Sequence, residues 1–230
     1  MIKRWALSAL YPLLFLVASH APAFAGTAEI ERVRSAIDVL NKIMSIPENC
    51  IPPSLLRDAY GIAIIPGVIK GGFFVGARYG KGVLCVRRDG GDWGNPLFIS
   101  AMGGSFGFQF GAQSVDVILV FKSNRSVEAI TGGKFTVGAD AGVAAGPVGR
   151  YAEASTDIML KSEIYSYSRS RGLFAGVSLE GASLQVDYKS NSAFYNMAGI
   201  LPIQILKGQD LDAPPVASDL RNALSRHATL

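Results

Sequence analysis

Histidine is almost missing from this chain. There are two in 230 residues, and His20 lies in the first 25. Cysteine is as scarce, with only Cys50 and Cys85. Two cysteines and one distal histidine, His227, cannot build a zinc site, and no acidic residues are spaced as a metal cluster. Charge is thin as well: 17% of residues are charged and 49% are hydrophobic. The basic residues form no runs, which excludes a dedicated nucleic-acid binder. Neither the G-x-x-x-x-G-K-[ST] loop nor a strand-to-helix G-x-G-x-x-G is present, so no cofactor is expected. Lys134 after Gly132-Gly133 reads as a tight turn.

Long apolar runs are also absent, with one N-terminal exception. Lys3 and Arg4 precede an apolar stretch, Ala6–Ala18, and Ala23-Phe24-Ala25 offers a small-x-small cleavage site. That run is shorter than the ~20 residues a spanning helix needs. The expectation is a signal peptide, residues 1–25, cleaved before Gly26, and an exported protein of the periplasm or cell envelope. Without Lys3 and Arg4 the basic count falls from 22 to 20 against 18 acids, a net charge of +2. An oxidising compartment would permit a disulfide between Cys50 and Cys85; the alternative is a buried thiol at Cys85.

What is abundant is glycine, with 26 residues. Many are clustered, as at Gly71-Gly72, Gly103-Gly104 and Gly132-Gly133. From Ile62 onward, short apolar or alternating runs are punctuated by these glycines. They are Ile62–Ile65, Gly72–Tyr79, Val83–Arg88, Leu97–Phe110, Val115–Phe121, Lys134–Val137, Ile158–Tyr167 and Leu173–Tyr188. Glycine inside strands marks bends, bulges or close backbone approach. Ahead of them, Ile30, Val33, Ile37, Leu40, Ile43 and Met44 recur at helical spacing over residues 27–45, with Thr27 a candidate cap. A second short helix is expected at Ser54–Tyr60, another at Asn124–Ile130, and a last one capped by Ser218 or Asp219. The fold class is α+β: a curved, mainly antiparallel glycine-rich sheet or partly closed barrel, with N-terminal helices and a short C-terminal helix. One domain is expected over 26–230. It comprises a helical segment (26–60), a β-rich body (61–207), and a linker with the terminal helix (208–230).

Two motifs compete for a function. Gly103-Gly104-Ser105-Phe106-Gly107 matches the G-x-S-x-G elbow of serine esterases, and the order Ser105, Asp210, His227 is formally allowed. The elbow needs a strand-to-helix turn, and here the pattern is β on both sides, so catalysis is not expected. The second motif is Ser166–Gly181, SYSRSRGLFAGVSLEG. Arg169 and Arg171 sit in a serine-rich turn ending at Gly172, and an apolar β-prone stretch follows. A basic hairpin tip beside an apolar strand suits an anionic, partly apolar partner such as a phospholipid.

The chain resembles the SYLF domain family. The likeness runs from Ile51-Pro52-Pro53-Ser54-Leu55-Leu56 through Ala59–Pro66, Lys70-Gly71-Gly72-Phe73 and Gly80-Lys81-Gly82-Val83. It continues through Trp93-Gly94-Asn95-Pro96, Gly104–Gly111, Ala144–Arg150 and Ser166–Gly181 to Asn191 and Phe194-Tyr195. The resemblance implies an α+β domain that binds phosphoinositide-like and other acidic phospholipid head groups without catalysis. The signal-like N-terminus points to an exported bacterial-type member, with actin a partner only in a eukaryotic host. Arg169 and Arg171 are the expected phosphate ligands, assisted by Arg150, Lys70 and Lys81. A structural or protein-interaction module of the envelope is the alternative. Oligomeric state and the identity of the lipid stay open.

Overall fold

The computed structural model describes residues 26–72, 75–106, 113–133, 135–149, 162–170, 173–175, 179–208 and 211–229. The expected leader, residues 1–25, lies outside them.

Helix α1 spans Thr27–Met44 and buries Val33, Ala36, Val39, Leu40, Ile43 and Met44 along one stripe. Glu29 in its first turn and Lys42 in its last complement the helix dipole. Its cap is Gly26, at φ 112°, rather than Thr27, which begins the helix. Helix α2, Pro53–Arg57, starts on a proline that needs no hydrogen-bond partner at that position.

The strands are β1 Gly61–Gly72, β2 Val75–Val86, β3 Leu97–Phe106, β4 Gln113–Phe121, β5 Phe135–Thr136, β6 Val143–Ala145, β7 Ile164–Ser170, β8 Leu173–Ala175 and β9 Ser183–Val186. Among the described residues they form one curled sheet in the order β5-β9-β3-β2-β1-β4-β7-β6, with β8 paired to β7. All pairings are antiparallel except β6 with β7. Helix α3, Asn124–Thr131, follows β4. Helices α4 (Tyr188–Phe194), α5 (Pro202–Lys207) and α6 (Pro215–Ala228) close the chain. The α+β class and the curved, mainly antiparallel sheet match the sequence expectation.

Three details differ. The runs Ile62–Ile65 and Gly72–Tyr79 leave a break between Ile65 and Gly72 in the sequence expectation. The chain instead runs straight through as one long β1, and the register against β4 jumps between Ile65 and Val68. Pro66 and Gly67 are absorbed as a bulge opposite Asp116, whose Oδ1 accepts the Gly67 N–H at 2.9 Å. Gly82 faces that bulge, and a Cβ there would collide with the Ile64 carbonyl. Secondly, Leu173–Tyr188 is not one strand. It holds β8 and β9, and Asp187 then caps α4 by accepting the Ser190 N–H at 3.1 Å. The segment 61–207 thus carries two helices, α4 and α5, that alternation did not reveal. Thirdly, α6 begins at Pro215, so Ser218 and Asp219 lie within the helix rather than capping it.

One face of the sheet, carrying Ile64, Val83, Cys85 and Phe98, lies beneath helices. Phe98 meets Phe194 of α4 with ring centroids 4.9 Å apart, and Arg32 of α1 lies over its ring. Leu220 and Leu224 of α6 are fully buried, as the sequence suggested. The other face carries Leu84, Leu97, Val117 and Leu119, all buried.

Candidate functional site

The alternation of β-strands sorts the basic residues. At the far end of the β1–β2 ladder, Lys70 lies directly opposite Arg78, and Arg78 opposite Gly103 of β3. Like charges facing each other across a strand pair repel. Partial burial, and then the Arg78 charge, lower the Lys70 pKa from its usual value. An anion placed over the pair would relieve both costs.

The next residues along these strands point the other way. Ile69 is opposite Tyr79, and Tyr79 opposite Met102. These side chains form an apolar row across three strands, and they are 56%, 44% and 47% exposed. A shallow groove of about 330 Å³ runs from this row to α1, lined by Ile69, Tyr79, Pro66 and Lys81 of the sheet and by Arg32. The end of the sheet therefore carries cations on one face and an exposed apolar row on the other.

Lys81 is already occupied. Its Nζ donates to Asp187 Oδ2 at 2.8 Å, and Arg32 Nη1 stands 3.8 Å from the same oxygen. Ser190 Oγ donates to that oxygen and accepts from Arg32. Burial alone would raise the Asp187 pKa, but hydrogen bonds from Lys81 and Ser190 outweigh it and hold the carboxyl below its usual range. The same bond raises the Lys81 pKa. Lys81 thus ties β2 to the start of α4.

Arg169, on β7, faces Asp116 of β4. Asp116 and the Lys70 partner Gln113 have opposite parity on β4, so Arg169 and Lys70 face opposite sides of the sheet. Arg169 Nε is buried and has no hydrogen-bond partner among the described residues. The hairpin expected around it is present as β7 and β8. Its tip, with Arg171 and Gly172, lies outside the described residues, as does Arg150. Of the five expected ligands, the three that are described, Lys70, Lys81 and Arg169, do not stand together. Arg78, left out of that set, is the one that stands beside Lys70. Only the strand register reveals this.

Cys50 and Cys85 are not joined in a disulfide. Both are buried thiols. Cys50 Sγ donates to the Pro47 carbonyl, and burial pushes the Cys85 thiol up to about 12. Ser105 lies within β3 opposite Gly76 of β2, in a regular ladder. Asp210 lies outside the described residues. His227 Nε2 sits 2.9 Å from Asn41 Oδ1, where it joins α6 to α1. Burial, then the charge of Arg226, lowers its pKa. Among the described residues no group of three His, Cys, Asp or Glu side chains is placed to hold a metal ion. None of the described helices is long and apolar enough to cross a membrane.

Residues 102–227 match the family described as Las17-binding protein actin regulator, Ysc84. The chain belongs to this family. It is 36% identical over 197 residues to an SH3 domain-containing YSC84-like protein 1 of Xenopus laevis, covering 83% of this chain and 58% of that protein. The Homo sapiens protein of the same name is 38% identical over 179 residues, covering 77% of this chain and 52% of its own length. Protein YSC84 of Saccharomyces cerevisiae is 35% identical over 184 residues, covering 79% and 39%. The chain thus spans about half the length of the curated relatives it matches. The resemblance seen in the sequence is confirmed at the level of the family. These relatives are YSC84-like proteins of animals and fungi, which overturns the expectation of an exported, envelope-associated protein and leaves the bacterial-type detail without support.

Proposed function

We propose that residues 26–230 act as one non-catalytic binding module for anionic phospholipid surfaces with phosphoinositide-like head groups. The observation that carries this reading is the Lys70–Arg78 pair at a sheet end whose reverse face exposes Ile69, Tyr79 and Met102. Each cation near an anionic bilayer contributes on the order of 1 kcal/mol, and the effect is screened within a Debye length. Exposed apolar side chains at the same sheet end, on its reverse face, add the burial of their own area where they meet the bilayer. Vesicle flotation tests this. Binding is expected to anionic but not neutral vesicles, to weaken with salt, and to fall in Lys70→Ala/Arg78→Ala. Equal binding to both vesicle types, or an unaffected double variant, would sink it.

A second reading has its own observation. A groove of about 690 Å³ lies between α3, α5 and the loop after β2, edged by the exposed Tyr188, Leu201 and Ile203. The family description names actin regulation and a protein partner, and the relatives carry SH3 domains by name. Both support a protein-interaction role for this groove. Co-sedimentation with actin filaments tests it. Sedimentation that is lost in Leu201→Asp/Ile203→Asp supports the reading, and a variant that sediments like the unchanged chain removes it.

A further inference from the structure

At the opposite end of β2 from Lys70 and Arg78, the chain turns through residues 87–96 and meets α6. A pocket of about 420 Å³ lies between that loop and the helix. Its wall includes Arg88, Trp93 and Asn95 from the loop and Arg221, Asn222 and Ser225 from α6. Trp93 is only 2% exposed. Its indole Nε1–H is buried and has no acceptor among the described residues, and the same holds for Arg88 Nε. Buried donors in folded proteins are nearly always paired. Two unpaired donors on side chains lining one pocket mark a place where an acceptor belongs.

Arg221 is held in position beside them. One terminal nitrogen donates to the buried Asn95 Oδ1 and the other to Ser218 Oγ at 2.7 Å. Among the described residues neither Arg88 nor Arg221 stands in an ion pair. The two acids that line the pocket, Asp92 and Asp212, are exposed. The more buried part of the pocket thus offers donors and positive charge, and its exposed part offers negative charge.

We propose that this pocket binds a small oxyanion, either a carboxylate or a phosphate monoester. Arg88, Arg221 and the Trp93 indole N–H hold the oxygens. Guanidinium groups suit this because their planar fork matches the oxygens of both groups. The exposed Asp92 and Asp212 select against polyanions and favour a ligand whose outer end carries hydroxyl or ammonium groups. Arg88 is ten residues along from Arg78, on the order of 30 Å in an extended strand, so this site is independent of the membrane reading.

Nuclear magnetic resonance of the ¹⁵N-labelled chain tests the proposal, with the Trp93 indole signal identified by Trp93→Phe. Sodium phosphate and sodium acetate are titrated against sodium chloride at matched ionic strength. A saturable shift in phosphate assigns the phosphate monoester class, and one in acetate assigns the carboxylate class. Arg221→Gln is expected to weaken binding at least tenfold. Arg88→Gln, which leaves the Asn95 contact intact, is expected to weaken it at least fivefold and keeps the test readable if Arg221→Gln does not fold. Lys70→Ala/Arg78→Ala is expected to bind as the unchanged chain does. The proposal is overturned by shifts that are alike in all three salts, or by an indole N–H that holds water and moves with neither oxyanion.

Discussion

Arg78 and Arg87 lie nine residues apart, one within β2 and one just past its end, and their surroundings differ completely. Arg87 is enclosed. Its guanidinium donates to the Leu56 and Ala59 carbonyls at 3.0 and 3.2 Å and lies 4.3 Å from the centroid of the Trp93 ring. Arg78 faces Lys70 at the other end of the ladder, beside glycine-rich backbone. Arg87, satisfied by carbonyls at one end, consolidates the fold. At the other end Lys70 and Arg78 stand directly opposite each other, and like charges so placed repel. The same side chain is enclosed by acceptors or set against a like charge according to what the fold places across from it.

The comparison can be broken at the consolidated end first. Asn191 of α4 donates from Nδ2 to the Phe98 carbonyl and accepts the Phe98 N–H, deep under the helices. Asn191→Ala would strand both backbone groups, and chemical denaturation should show a loss of about 3 kcal/mol. Arg87→Ala removes three hydrogen bonds from a charged group, to the Leu56, Ala59 and Gly91 carbonyls, and a cation–π contact, and the same measurement should show about 2 kcal/mol. A loss below about 0.5 kcal/mol in both would erase the contrast between the ends.

The ion pair at the centre gives a smaller and pH-dependent effect. The Asp187 pKa is lower in the folded chain than its ordinary 3.8. Its contribution is therefore present above that ordinary value and disappears as pH falls through the folded-state pKa. The Lys81 pKa is raised from 10.5, so its share is present below 10.5 and disappears as pH rises through the folded-state value. Asp187→Asn should lower stability near pH 7 by about 1 kcal/mol and flatten the acid limb of a stability–pH curve. An unchanged acid limb would remove Asp187 as its source.

The smallest stability effect is expected at the open end. Lys70→Ala/Arg78→Ala should alter the unfolding free energy by less than about 0.5 kcal/mol. The same variant should weaken binding to anionic vesicles about 25-fold, from about 1 kcal/mol per cation. A large stability loss without a binding loss would reverse the roles assigned to the two ends.

Much of the architecture was legible in the sequence. Helix α1 announced itself because its buried residues recur at spacings of three and four. Strand β4 did so through Val115, Val117, Leu119 and Phe121. The bulge at Pro66-Gly67 misled because proline and glycine mark a turn locally, while only the neighbouring strand decides whether the chain turns or bulges. Helices α4 and α5 went unseen because they are short. The local signals were the Asp187 cap of α4, which also serves the Lys81 ion pair, and Pro202 at the start of α5. Gly146 had no visible reason in the sequence. In the fold a Cβ there would overlap the Tyr167 ring, which donates its hydroxyl to the Pro147 carbonyl.

By itself, then, the sequence determined the class of fold, the family and the inventory of cations, because periodicity, glycine content and motif order are local properties of the chain. Tertiary structure alone decided which cations are paired. Lys81 found Asp187, Arg87 found carbonyls and Trp93, and Arg169 came to face Asp116. Lys70 came to face Arg78. A bulge of two residues sets that register, and shifting a strand by one residue exchanges its faces. The partner of each charge is therefore fixed across strands, where no reading along the chain can reach it.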